Sequence, residues 1–365
     1  MFALFCLSLF LLFYTYVGYP VLISVLAKMF PYSVKANHEY LPKVTAIIPA
    51  YNAEEYVDAK IESLLNQDYP KDKLEILICS DASTDGTDDA LKRFSQKDKR
   101  VKHFRAKERS GKPSAVNLMK GMATGEILLM TDIRQPLSSD AVRSLVAPLA
   151  DPEVACASGN LILRGPAGAG MYWKYENWIR HSEGKFRSMV GVTGPIYAIR
   201  KDDMEDLPAD IILDDMWVPM RLRLDGRRII FVPEAEAYDD AFGDQRELGR
   251  KVRTLAGNYQ LFQKLPGLLF PLINPSWFEV MSHKIFRLLC PWALIVLLLS
   301  SFALSFGDCG VARLMFIGQI GFYGAAYAGG KIGSMGRFAR TFVVLHYAAV
   351  AGLFRHIRGA QKVTW

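Results

Sequence analysis

The stretch LEILICSDASTDGT, residues 74–87, decides how this chain folds. LEILICS is a short apolar run bounded by turn residues, the pattern of a buried strand, and the Ser, Asp and Gly that follow suit a tight connection into the helix DGTDDALKRFSQ. Upstream, VTAIIPAY (44–51) reads as a second strand, and EEYVDAKIESLLNQ (54–67) reads as a helix carrying Val57, Ile61, Leu64 and Leu65 on one face. Downstream come a strand in VKHFRA (101–106), a helix in SAVNLMKGMATG (114–125) and a strand in EILLMTD (126–132). This alternation predicts a mostly parallel sheet covered by helices, with ligands bound beyond the carboxyl ends of the strands. Asn52, Asp81 and Asp132 all fall at such ends. A lone Asp after a strand is ordinarily a turn or cap residue. Three polar residues at three neighbouring strand ends define one cleft.

The sequence has 365 residues, 51% hydrophobic and 12% aromatic, enough for a sizeable core, and a net charge of +7. Its Lys and Arg form no single dense stripe and many flank apolar runs, which points to a membrane surface and away from nucleic acid. The five cysteines, Cys6, Cys79, Cys156, Cys290 and Cys309, have neither disulfide-framework nor zinc-site spacing, and the six histidines do not cluster as ligands.

From Met1 the chain runs to Lys28 before its first charged side chain, long enough to span a bilayer and lacking the basic start of a cleaved signal. Leu288 to Gly307 and Leu314 to Gly330 read as two further spans, the latter with Gly318, Gly321, Gly324 and Ala325 at helical spacing. Thr341 to Phe354 is short for a span; flanked by Arg337, Arg340, Arg355 and Arg358, it is expected to lie along the headgroups, with spanning as the alternative. The organisation expected is an N-terminal transmembrane helix (1–30), an α/β domain (43–260), an interfacial segment (261–287) that includes GLLFPLINPSWFEVMSHK, and a C-terminal transmembrane and interfacial region (288–365). In MYWKYENWIRH (171–181), Tyr175 and Trp178 are of a type that stacks on a sugar but are spaced as a buried helical face, and core packing is the reading preferred.

VTAIIPAYNAEEYVDAKIESLLNQDYP, ILICSDASTDGT, GKPSAVN and TDIRQPL, followed by VTGPIYAIRKD, DDMWVPMRLRLDGRRIIFVPEA and RKVRTLAGNYQ, resemble in order a glycosyltransferase of family 2, and the last is similar to the arginine motif of membrane-embedded polysaccharide synthases. The resemblance covers roughly Lys43 to Gln260 and implies an α/β fold of the GT-A type, Rossmann-like, that binds a nucleotide-diphosphate sugar and transfers the sugar with inversion. It implies donor binding by Pro49, Ala50, Tyr51, Asn52, Glu54, Asp81 (at the base), Lys112, Asn117 and Asp132, although Lys112 alone reads equally as a solvated lysine. Asp215 aligns with the catalytic base and Asp214 with the acid before it; both also suit a helix N-terminus. Gly194, Arg250 and Arg253 fall on the diphosphate and acceptor side.

Two positions depart from the pattern. Thr254 stands where, by the resemblance, an aromatic residue follows the second arginine in processive synthases, which puts processive synthesis in doubt and leaves single-sugar addition open. Asp132-Ile133-Arg134 stands where the family presents Asp, any residue, Asp to hold Mg²⁺ or Mn²⁺. Asp132 is then the remaining metal ligand, and Arg134 either supplies compensating charge to the donor or pairs with a neighbouring acid. The expected protein is a multi-pass inner-membrane enzyme with its catalytic domain in the cytoplasm, acting on a lipid-linked or polysaccharide acceptor beside membrane lipids. The alternatives are a processive exopolysaccharide synthase and a catalytically silent scaffold that binds nucleotide sugar. No GxGxxG follows the first strand, which excludes a dinucleotide dehydrogenase.

Overall fold

The computed structural model describes residues 1–164, 167–240 and 244–361. Helix α1 (Phe2–Met29) leads into the sheet domain. There β1 (Val44–Ala50), α2 (Glu54–Leu65), β2 (Leu74–Ser80), α3 (Thr87–Lys97), β3 (Val101–Arg105), α4 (Lys112–Met122) and β4 (Ile127–Met130) alternate as the sequence pattern requires. After α5 (Ala141–Val146) and β5 (Val154–Arg164) come α6 (Ala167–Phe186), β6 (Tyr197–Arg200), α7 (Asp214–Leu224), β7 (Arg228–Asp240) and α8 (Asp244–Lys264). Three helices finish the chain: α9 (Trp277–Leu304), α10 (Gly310–Ala328) and α11 (Gly333–Ile357).

The seven strands form one sheet in the order β3-β2-β1-β4-β6-β5-β7. β1 is parallel to both β2 and β4, β2 to β3 and β5 to β7; β6 alone runs antiparallel to its neighbours β4 and β5. Both faces are covered, so β1 and β2 are buried along their whole length and lack polar alternation. Ile48 and its alternates pack on Val57, Ile61 and Leu64 of α2, whereas Ile47 faces Val116 and Met119 of α4 and Val218 and Leu222 of α7. Burial of each such side chain contributes about 1.5–3 kcal/mol, which fixes strand register and with it the strand ends. Because Ala50 lies opposite Ser80 in a parallel pair, Asn52 and Asp81 emerge on the same edge as Thr131 and Asp132 beyond β4.

Among the described residues two helices, α1 and α9, are long and apolar enough to cross a membrane. The expected span at 314–330 overlaps α10, which ends at Ala328, is 19 residues long and is not one of those two; Arg313 and Gln319 lie within it. The expected short surface run 341–354 is part of a 25-residue helix, because the pattern extends back through Arg340 to Gly333. That helix packs along α8, where a Cβ on Gly352 would lie 2.8 Å from the Ala256 nitrogen. The end of the basic tail, from 362, lies outside the described residues. In the segment 261–287, Phe270, Leu272 and Ile273 are exposed apolar side chains on a turn. On α6, Tyr175 packs against the Tyr19 and Ile179 cluster as its spacing predicts, but Trp178 is 43% exposed, since the face that α6 buries is narrower than the apolar pattern.

Candidate active site

The edge formed by the ends of β1 and β2 is a closed hydrogen-bond knot. Asn52 adopts the left-handed conformation (φ 46°), tolerable for Asn, and its Oδ1 accepts from the Thr84 N–H at 2.8 Å. Ala53 N–H donates to Thr87 Oγ1 at 2.8 Å, and Asp85 Oδ1 accepts from the Thr87 N–H at 3.1 Å. Glu54 Oε2 accepts from the Gly86 N–H at 3.0 Å; a Cβ there would sit 2.4 Å from the Glu54 carboxyl carbon, so a larger residue would displace that carboxylate. Pro49 and Ala50 lie at the end of β1, and the Arg109 guanidinium lies 3.7 Å above the Tyr51 ring centroid.

Asp81 is 1% exposed, and both its oxygens are engaged by backbone: Oδ1 accepts from Ser110 N–H and Oδ2 from Gly111 N–H, each at 2.8 Å. Asp81 thus anchors the 110–111 backbone at the end of β2. Gly111 has φ 87° and caps α4, so Asp81 fixes the point where Lys112 begins that helix. Neither the partners nor the left-handed Ala82 beside it (φ 57°) is legible in SDASTDGT.

The other half is charged. Lys112 Nζ lies 3.0 Å from Asp132 Oδ1 and 3.0 Å from Asp214 Oδ2, joining the end of β4 to the first turn of α7. Burial alone would lower the Lys112 pKa, but Asp132, Asp214 and Asp215 together hold it above the usual lysine range. Burial would likewise raise Asp132, yet Lys112, with Lys60 and Arg250 further off, keeps it below the usual carboxylate range. Lys112 is thus part of the site and not a solvated lysine. Asp215 differs: burial, then the neighbouring Asp214, pushes it up to about 6. It lies against Gly194, where a Cβ would be 3.0 Å from Asp215 Oδ2. Behind this floor Lys60, fully buried, donates to Thr131 Oγ1 at 2.6 Å and Gln135 O at 2.5 Å, and burial lowers its pKa to about 7.

Two expected donor contacts fall elsewhere. Asn117 is spent on the backbone of Leu207, donating to its carbonyl and accepting from its N–H at 2.8 Å each, and so pins the 204–213 loop. Arg134 is ion-paired with Asp239 of β7, which also accepts from Gln135 Nε2 at 2.8 Å. The pairing alternative for Arg134 holds, because a strand more than 100 residues away supplies an acid that its local sequence does not announce. Arg250 and Arg253 lie three apart on α8, with Arg250 electrostatically coupled to Asp132. The sequence reading missed Arg180 of α6, whose Nη1 donates to Thr193 Oγ1 at 3.0 Å and whose charge acts on Asp215. It carried no signal beyond its place in a helix whose pattern reads as packing.

The family described as Glycosyl transferase family 2 matches residues 45–206, the segment from β1 to the loop before α7. The chain is 27% identical over 219 residues to the probable glycosyltransferase YdaM of Bacillus subtilis, matching 56% of this chain and 52% of that protein. It is 26% identical over 178 residues to an N-acetylglucosaminyltransferase of Rhizobium meliloti, covering 46% and 41%. The chain thus spans about half the length, or less, of these curated relatives. A mannosyltransferase of Pyrobaculum calidifontis, solved with GDP-Man and Mn²⁺, superposes with a TM-score of 0.76 at 24% identity, over 97% of this chain and 99% of that one. That likeness establishes the GT-A fold across the sheet and the flanking helices.

Proposed function

We propose that this protein is an inverting glycosyltransferase that moves a sugar from a nucleotide-diphosphate donor to a hydroxyl of a lipid-linked or glycan acceptor at the cytoplasmic face of a membrane. The carrying observation is the group at the edge of β4 and α7: a carboxylate raised to about 6 at Asp215, beside the Asp132–Lys112–Asp214 chain. Asp215 accepts the proton of the acceptor hydroxyl as its oxygen attacks the anomeric carbon, and the bond from that carbon to the diphosphate breaks. A base titrating near neutrality suits this transfer. Lys112 and the Arg250 side of α8 offset the charge gathering on the departing diphosphate. The knot at Asn52, Glu54 and Asp81 holds the cleft floor rigid where the nucleoside lies, beside the Tyr51–Arg109 platform.

The mannosyltransferase of the same fold was solved with Mn²⁺. Among the described residues here no group of three or more potential ligand side chains is present, and Asp132 is already engaged by Lys112. These residues fit a divalent cation held by Asp132 and the donor's own phosphates, as sparsely liganded Mg²⁺ is held. Such a cation would supply further neutralisation of the leaving group. Thr254 supports single-sugar addition, and α1 and α9, with the exposed Phe270, Leu272 and Ile273, support membrane attachment.

Detergent-purified protein incubated with a panel of nucleotide sugars tests this reading: release of nucleoside diphosphate that depends on acceptor and disappears in Asp215→Asn is expected. Release undiminished in that variant would reject Asp215 as the base.

A further inference from the structure

A cavity of about 550 Å³ lies away from the charged edge. Tyr16 of α1, Tyr175 of α6, Arg287 of α9 and Phe338, Phe342 and Leu345 of α11 line it, so both helices able to cross a membrane contribute to its wall. Its size is that of a pocket for a substantial organic group, usually about 300–1,000 Å³. The lining is mostly apolar and aromatic, with Arg287 and Arg337 among it. Arg287 is paired with Glu176, and Arg337 is exposed with no acid at ion-pair distance among the described residues.

Helix α6 connects this cavity to the catalytic edge. Tyr175 lines the cavity and Arg180 lies five residues on, about 8 Å along the axis at 1.5 Å per residue. Arg180 holds Thr193, and the next residue, Gly194, lies against Asp215. Lys284 Nζ reaches the same loop, 3.8 Å from where a Cβ on Gly191 would be. From Asp215 outward the order is therefore a base, then two cations, then a large apolar cavity beside membrane-length helices.

We infer that the cavity takes the hydrocarbon chain of an acceptor lipid whose phosphate lies at Arg180 and Lys284 and whose hydroxyl-bearing end reaches Asp215. This rests on the transferase reading and narrows its acceptor to a phosphate-bearing lipid. Charge complementarity selects an anionic amphiphile over a neutral glycan chain, for which the aromatic cavity offers few hydrogen-bond partners.

Calorimetry on the full chain in detergent, with an isoprenyl phosphate, the matching isoprenol and inorganic phosphate as separate probes, tests it, alongside nucleotide-sugar binding. The isoprenyl phosphate is expected to bind at least about tenfold more tightly than either fragment, the gain of joining two contacts. Ala349→Trp, which fills the cavity, and the milder Thr341→Trp at its half-exposed wall should each weaken it about tenfold with donor affinity retained. Arg180→Met should bring the phosphate's affinity toward that of the alcohol. Unchanged lipid affinity in a folded tryptophan variant, or equal affinity for isoprenol and isoprenyl phosphate, overturns the proposal. Inorganic phosphate binding as tightly as the lipid identifies a free-phosphate site and also overturns it. Tail-dependent lipid binding by protein that binds no nucleotide sugar keeps the cavity as a lipid site and overturns its role as an acceptor site.

Discussion

The two halves of the cleft edge are built in opposite ways. At the ends of β1 and β2, the side chains of Asn52, Glu54, Asp81 and Asp85 bind backbone amides and neighbouring hydroxyls. At the end of β4 and the start of α7, three carboxylates share the field of one close ammonium, and Asp215 is left with a raised pKa. The first half supplies shape and the second supplies chemistry. A motif reading weights both alike, because it sees residue types and not whether their lone pairs are already used.

The largest expected effect is in the charged half. Asp215→Asn should lower kcat by about 10²–10⁴-fold, the usual worth of a positioned base, while leaving donor affinity within about twofold in calorimetry. Comparable loss of donor binding would erase the contrast between the halves. The Arg134–Asp239 pair is next: Arg134→Ala leaves Asp239, 8% exposed, without its ion partner and should cost about 3 kcal/mol in denaturant unfolding, with the metal titration of activity unchanged. A shifted metal titration in a normally stable Arg134→Ala protein would return Arg134 to the donor site.

Lys112→Met should reduce turnover about 10²-fold, as the loss of one preorganised charge does. It also has a pH signature. The base form of Asp215 is present above its pKa and lost as pH falls through about 6, and Lys112 is among the groups that lower that pKa. Removing Lys112 should therefore move the acid limb of kcat/KM upward from about 6, and an unmoved limb would separate Lys112 from the base. The smallest effect belongs to the closed half: Asn52→Ala loses the Thr84 contacts and should cost about 1 kcal/mol of stability without moving the pH profile. A moved profile would show that the knot also tunes the base.

Much of this was open to a sequence reading because it depends on local pattern. The alternation around LEILICSDASTDGT is set by side chains that bury on both faces of a parallel sheet, and parallel strands put their carboxyl ends on one edge. Asn52, Asp132 and the Asp214–Asp215 pair follow from that geometry together with the family pattern. What pairing across the fold decided was different in kind. Asn117 was committed to Leu207, 90 residues on, and Arg134 to Asp239, 105 residues on, while Asp81 turned inward to the 110–111 amides. Arg180 and Lys284 reached the catalytic loop from helices that read as packing and as membrane attachment. The sequence determined which groups stand at the strand ends; tertiary structure determined which of them still have a free lone pair or an unbalanced charge, because both depend on partners distant in the chain.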